Sequence, residues 1–163
     1  MEAFAYANPT SLKEAIASLG TNWEDAAILA GGTDLITLMK QYVYSPKKVV
    51  NIKGVKELKG IERTGDGGFR IGAAVTVDEL LKNRILGEEF PALRMAAKGI
   101  TSPQMRHMGT VGGDLCQRPR CWYFRNGFGL LALKDGKSLV AEGENQYHAI
   151  LGHNGKAYFV SAS

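Results

Sequence analysis

Two pairs of adjacent glycines, each followed closely by an aspartate, are the part of the sequence best suited to bind a ligand. The first pair lies in the run Ile28–Leu35, where an apolar segment meets Gly-Gly-Thr-Asp and then a helical pattern. The first N–H groups of a helix have no partner within it, and the helix dipole adds partial positive charge there. Such a turn suits an anion, typically a phosphate. We therefore predict a phosphate-binding turn made of Ala30, Gly31, Gly32, Thr33 and Asp34.

The second pair repeats the pattern in Gly109–Asp114. Here the predicted ligand-binding residues are Thr110, Gly112, Gly113 and Asp114, and the aspartate is well placed to accept hydrogen bonds from ribose hydroxyls. Two such turns fit a dinucleotide better than a single phosphate. Neither turn has the P-loop sequence or the Gly-x-Gly-x-x-Gly pattern. The alternative for each turn is that its glycines are needed only for a tight strand–helix connection.

A third cluster, Cys116–Arg125, interleaves three arginines with three aromatic residues. Its aromatic residues could pack in the core, the cluster could contact a ligand or partner, or it could stack on nucleic-acid bases. The net charge of only +4 argues against nucleic acid. The spacing of Cys116 and Cys121 indicates neither a disulfide framework nor a zinc site, so we predict no metal. With no recognisable nucleophile–base pair, we predict no catalytic residues and expect a cofactor to supply any chemistry.

The composition and the spacing of charged residues indicate which class of protein this is. The chain has 163 residues, 45% of them hydrophobic and 22% charged, as in a folded globular protein. The longest stretch without a charged residue has 11 residues, too short to span a bilayer, so we expect no membrane segment. No basic residue precedes Lys13, which is unlike a secretory signal. We expect two free thiols and a cytoplasmic protein.

The predicted elements describe an α+β protein. Ser11 with Glu14 forms a capping-box pattern before a first helix. An apolar strand at 26–30, a helix starting at Thr33 or Asp34, and a strand at 48–52 form a βαβ unit. We place a boundary there, giving a small βαβ lobe at 1–55 and a mixed lobe with a mostly antiparallel sheet at 56–163. The second lobe is expected to contain a hairpin around 63–68, helices from Thr76 to about Ile85 and over 91–99, a turn at 135–136, and a hairpin joining 147–151 to 156–161.

The sequence resembles a known family, the FAD-binding (medium) subunits of the molybdenum hydroxylases. This family includes xanthine, aldehyde and carbon monoxide dehydrogenases. The resemblance rests on three segments in this order: Ala30–Leu35, Ile71–Thr76 and Gln104–Leu115. It covers essentially the whole chain. The segments 117–125 and 145–152 are most similar to the aldehyde oxidoreductase branch.

The resemblance implies a two-lobe fold, like that of vanillyl-alcohol oxidase and the molybdopterin dehydrogenases, that clamps an extended FAD. The two double-glycine turns, Ala30–Asp34 and Thr110–Asp114, would contact its diphosphate and the adjoining ribose. The implied function is electron transfer from an iron–sulfur subunit to FAD and on to an acceptor. The implied partners are a molybdopterin-binding large subunit and a two-iron small subunit. The alternative is a non-enzymatic protein–protein module that kept the fold and lost the cofactor.

The sequence departs from the family in two respects. Members of the aldehyde oxidoreductase branch often carry a four-iron cluster, but Cys121 is the only cysteine after Cys116. One thiolate cannot hold a cluster that needs four, so no cluster is expected. Family members are also roughly twice as long, which suggests a truncated or split protein. On that basis we expect the apolar segment Tyr158–Val160 to mediate self-association or to be covered by a partner chain.

Overall fold

The chain divides into two compact units. The computed structural model describes residues 1–22, 24–129, 131–146 and 148. Internal contacts separate a first unit, Met1–Cys116, from a second, Gln117–Ser163, and each is described by itself. Mixed helices and small sheets confirm the α+β class. The predicted boundary between residues 55 and 56 falls inside the first unit, and the two-lobe division stays a prediction.

A three-stranded parallel sheet opens the first unit. Its strands are β1 (Ala5–Ala7), β2 (Ala26–Leu29) and β3 (Lys48–Asn51), in the order β1-β3-β2. Helix α1 (Leu12–Ser18) begins where the Ser11 hydroxyl accepts from the Glu14 N–H, as predicted, and α2 (Leu35–Lys40) links β2 to β3. The predicted βαβ unit is thus confirmed. Strand β1, which sequence analysis missed, pairs with the buried central strand β3.

The rest of the first unit consists of a 3-10 helix (Lys56–Leu58), a hairpin and five short α-helices. The hairpin joins β4 (Ile61–Arg63) to antiparallel β5 (Phe69–Ile71), as predicted. Its apolar side and the helices enclose a core formed by Val75, Val77, Leu80, Leu86 and Ala97. The helices are α3 (Val77–Lys82), α4 (Arg84–Glu89), α5 (Pro91–Lys98), α6 (Pro103–Met108) and α7 (Val111–Leu115).

One predicted helix of this unit is divided in two. The pattern from Thr76 to Ile85 predicted a single helix, but the structure ends α3 before Asn83 and begins α4 after it. The Asn83 side-chain oxygen accepts from the Leu86 N–H at 2.9 Å and so caps the second helix. The single-helix prediction was therefore wrong at this residue.

The second unit contains α8 (Trp122–Arg125), the two-residue strands β6 (Leu133–Lys134) and β7 (Lys137–Ser138), and α9 (Leu139–Glu142). The predicted turn between β6 and β7 is confirmed, with positive φ at both Asp135 and Gly136. The predicted hairpin joining 147–151 to 156–161, and with it Tyr158–Val160, lies outside the described residues. Within the described part of the chain, no helix is long and apolar enough to cross a membrane.

Candidate functional site

The first double-glycine turn connects the carboxyl end of β2 to α2. Ala30 is buried at its start, and Gly32 has a φ of +76°, a conformation that side chains disfavour. Asp34 occupies the N-cap position of α2 but makes no side-chain capping bond. The glycine at position 32 is thus explained by backbone geometry.

This turn presents unused backbone donors. In the described part of the chain, we find no acceptor for the N–H groups of Gly31, Gly32 and Thr33. All three residues are only partly buried, so a ligand can reach them. A row of free N–H groups at the start of a helix is the arrangement that binds phosphate in other proteins. Anion binding at this turn stays a prediction.

The second double-glycine turn has its donors engaged. The N–H groups of Val111 and Gly112 donate to the carbonyl oxygens of Val75 and Ala73, both at 2.9 Å. The Gly113 N–H donates to the hydroxyl of buried Thr110, which caps α7. The Asp114 N–H donates to the Thr110 carbonyl oxygen. These four N–H groups hold the turn in place, so what it can offer a ligand is its side chains and its shape.

Close packing explains Gly112. A Cβ at this position would lie 2.7 Å from the Ala73 Cβ and 2.9 Å from the Ala73 carbonyl oxygen. The segment Gly109–Gly112 pairs with Ala73–Val77 through these backbone bonds, through a Thr76–Thr110 bridge, and through a Val77 N–H bond to the Gly109 carbonyl oxygen. We call this paired arrangement the loop ladder.

The two turns meet at Gly31. A Cβ at this position would lie 2.6 Å from the Met108 carbonyl carbon and 2.9 Å from the Gly109 Cα, and closer still to the Met108 carbonyl oxygen. A Cβ on Gly109 would in turn lie 3.7 Å from the Thr33 hydroxyl oxygen. The structure thus brings the turn at Ala30–Asp34 against the start of the turn at Thr110–Asp114. The spacing of these segments in the sequence gave no sign of the Met108 contact.

Several charged side chains lie near the end of the loop ladder where α3 begins. Glu79 receives hydrogen bonds from the N–H and the hydroxyl of Thr76, which lower the pKa of its carboxyl. The pKa of Asp78 is lowered first by the hydrogen bond from Lys82 at 2.7 Å and further by the nearby His107. The His107 Nε2 lies 3.6 Å from the Asp78 carboxylate. These carboxylates stay ionised at neutral pH.

The arginine-aromatic cluster, apart from Cys116, belongs to the second unit. Tyr123 and Phe124 pack against its buried residues, as the core-packing interpretation expected, whereas Trp122 is 78% exposed. The Nε2 of His148 lies 3.2 Å from the Cys121 sulfur. The spacing of these residues in the sequence did not predict this contact. No group of three or more potential metal ligands occurs in the described residues.

Comparison with known proteins shows the family to which this chain belongs. Residues 2–126 match the family model described as "FAD binding domain in molybdopterin dehydrogenase". The chain belongs to this family. The carbon monoxide dehydrogenase medium chain of Hydrogenophaga pseudoflava is 39% identical over 112 residues, which are 69% of this chain and 39% of that one. The match to an FAD-binding domain therefore confirms the predicted cofactor, FAD.

Two further proteins are similar to this chain over most of its length. The aldehyde oxidoreductase FAD-binding subunit of Escherichia coli is 33% identical over an alignment that covers 93% of this chain and 48% of that one. A crystal structure of the Cu,Mo-CO dehydrogenase superposes with a TM-score of 0.67 at 35% identity, covering 71% of this chain and 40% of that one. The chain spans less than half the length of these relatives.

The described residues fit the diphosphate of FAD. The three free N–H groups of Gly31, Gly32 and Thr33 can donate to phosphate oxygens. The buried hydroxyl of Thr110 accepts from Gly113, so its own proton remains to be donated. A side chain at residue 31 would separate the first turn from Met108 and Gly109.

Proposed function

We propose that this chain is the FAD-binding electron-transfer domain of a molybdenum hydroxylase or dehydrogenase complex. The observation that carries the proposal is the contact of Gly31, in the first double-glycine turn, with Met108 and Gly109, which lead into the second, next to a row of free N–H groups. One extended ligand with a diphosphate can touch both turns at this junction. FAD is such a ligand.

In this proposal the first turn binds the diphosphate. The N–H groups of Gly31, Gly32 and Thr33 donate to its oxygens, and the partial positive charge at the start of α2 adds attraction. Ala30 lines the start of the turn without a bulky side chain. Asp34 follows at the helix start, where its carboxylate is suited to a ribose hydroxyl rather than to the phosphates.

The second turn completes the site. Thr110 can donate its hydroxyl proton to the ligand, and Gly112 and Gly113 keep the surface free of side chains. The carboxylate of Asp114, in the first turn of α7, is an acceptor for ribose hydroxyls. We assign to these residues the adjoining ribose and the second side of the diphosphate.

The chemistry belongs to the cofactor. FAD, when bound, supplies the oxidation–reduction chemistry, and this chain's residues bind it, orient it and limit its contact with water. We assign no catalytic residue and no resident metal. We propose as partners a molybdopterin-binding large subunit and a two-iron iron–sulfur subunit, since the relatives are named as medium chains and FAD-binding subunits. A cytoplasmic location is proposed because Cys116 and Cys121 are both free thiols.

The visible spectrum of the purified protein tests this function. After incubation with FAD and gel filtration, we expect the protein fraction to keep flavin absorption at about one FAD per chain. A folded protein that keeps no flavin would favour the alternative, a protein–protein module that has lost its cofactor. Light scattering tests the separate prediction of self-association through Tyr158–Val160, which a strictly monomeric protein would contradict.

A further inference from the structure

The helix that carries Met108 is not held by buried side chains. Helix α6 (Pro103–Met108) ends at the residue whose carbonyl group contacts Gly31. None of its six residues is buried, and both of its methionines are exposed. Hydrogen bonds must therefore set the position of this helix, and with it the contact between Met108 and the first double-glycine turn.

The loop ladder anchors one end of α6. The Gly109 N–H donates to the Met105 carbonyl oxygen at 2.6 Å, and the Gly109 carbonyl oxygen accepts from the Val77 N–H at 3.0 Å. These bonds hold the chain directly after Met108. One point of attachment still leaves a short helix free to tilt about that point, so its direction depends on a second attachment.

Arg106 supplies the second attachment. Its Nη1 donates to the carbonyl oxygens of Ile100 at 2.8 Å and of Thr101 at 3.2 Å, which lie between α5 and α6. In the described part of the chain, no backbone N–H donates to either oxygen. Hydrogen bonds from a charged donor are stronger than those between neutral groups, and the planar guanidinium can hold two acceptors at once.

The acceptors of Arg106 are themselves fixed by the core. The Ile100 side chain packs against the buried cluster that contains Val75 and Val77. These two valines also bond through their backbones to Val111 and Gly109 in the loop ladder. Arg106 therefore ties α6 to the same buried framework that holds the second double-glycine turn.

The neighbouring side chain of α6 does not make an equivalent link. The exposed His107 lies 2.7 Å from the Pro103 carbonyl oxygen of its own helix, and its Nε2 lies 3.6 Å from the Asp78 carboxylate, beyond hydrogen-bond distance. We infer that Arg106 is a positioning residue for FAD, which fixes the direction of α6 and so holds the Met108 carbonyl group against Gly31. The inference assigns Arg106 no contact with the cofactor.

The inference rests on the proposed function and predicts a coupling between two substitutions. If Arg106 acts through the contact of Met108 with Gly31, its loss matters only while that contact is intact. Residues that act through one contact are non-additive. We therefore expect Arg106→Met to weaken FAD binding about five- to tenfold in wild type, but by less than about twofold in Gly31→Ala, where the contact is already disrupted.

A double-mutant cycle measures this coupling. The full chain is titrated with FAD by flavin fluorescence, and with ADP by competition, for wild type, Gly31→Ala, Arg106→Met and the double variant, with circular dichroism to confirm folding. ADP should lose affinity by the same factor as FAD, because both carry the diphosphate assigned to the first turn. Arg106→Lys should restore part of the affinity, since lysine can donate to one of the two carbonyl oxygens. Arg84→Met, which removes an exposed pair with Glu88, is the matched control and should leave affinity unchanged.

The outcomes separate this inference from the proposed function. If folded wild type binds no FAD, the proposed function fails and the inference fails with it. If wild type binds FAD but Arg106→Met leaves affinity unchanged, or weakens it equally in wild type and in Gly31→Ala, the inference alone is overturned. A loss of FAD affinity without the same loss for ADP would also overturn it. Should Arg106→Met not fold, the same cycle with Arg106→Gln decides.

Discussion

Gly31 and Met108 lie so close that a methyl group at position 31 would overlap the Met108 carbonyl group. The two residues are far apart in sequence: Gly31 belongs to the first double-glycine turn, and Met108 is the last residue of α6, directly before the second. Their contact brings Gly31 of the first turn against the residues that lead into the second. In the proposed FAD site, two chain segments that are far apart in sequence are thus held together.

Substitution of Gly31 by alanine should disrupt this contact. The added Cβ would meet backbone atoms of Met108 and Gly109, which cannot rotate away as a side chain would. We expect FAD affinity to fall at least tenfold, about 1.4 kcal/mol. Gly65→Ala is the matched control, since a Cβ there has nothing within 4 Å. Equal FAD affinity in folded Gly31→Ala and wild type, by flavin titration, would contradict the assignment of this junction.

Substitution of Gly32 by valine tests the turn itself. Gly32 has a φ of +76°, and a branched side chain there is strained and obstructs the N–H groups. We expect at least a tenfold loss of FAD affinity with the fold retained. Gly67→Val, at a φ of +88° with open space around it, carries similar strain away from the turn. It should lower stability without changing affinity; if both variants lose affinity equally, strain rather than the turn is responsible.

Local sequence signals predicted the elements that depend on neighbouring residues. The helix start at Ser11, the helix start at Thr76 and the 63–68 hairpin all appear where short-range chemistry puts them. Strand β1 was missed because its pairing depends on β3, more than forty residues later. The loop ladder and the Gly31–Met108 contact were missed for the same reason. The sequence pattern alone also did not show that the N–H groups of the second turn are already hydrogen-bonded within the protein.

The capping box at Thr76 should make stability depend on acid. Hydrogen bonds from Thr76 lower the pKa of Glu79, so its contribution to stability is present above the ordinary glutamate pKa and is lost as pH falls through the lowered value. We expect Glu79→Gln to lower the melting temperature at pH 7 and the difference from wild type to shrink toward about pH 3. Glu88→Gln, which removes an exposed pair with Arg84, is the control and should change little. A constant difference across pH in thermal scans would argue against the role of the Glu79 charge.

We expect no iron–sulfur cluster and no zinc. Cys116 is exposed, and Cys121 is buried with one imidazole nitrogen 3.2 Å away, so the chain offers two thiolates at most. A four-iron cluster takes four cysteine ligands. Metal and acid-labile sulfide analysis of anaerobically purified protein checks this. Stoichiometric iron with sulfide, or stoichiometric zinc lost in Cys121→Ser, would show the prediction to be wrong.

The central claim is that this chain binds FAD through its diphosphate, at the junction of the two double-glycine turns. The most direct measurement is a flavin fluorescence titration of the protein with FAD, followed by competition with ADP and with riboflavin. We predict saturable binding of about one FAD per chain, displacement by ADP, which carries a ribose and a diphosphate, and little displacement by riboflavin, which has no phosphate. Failure of a folded protein to bind FAD, or displacement by riboflavin but not by ADP, would contradict the account.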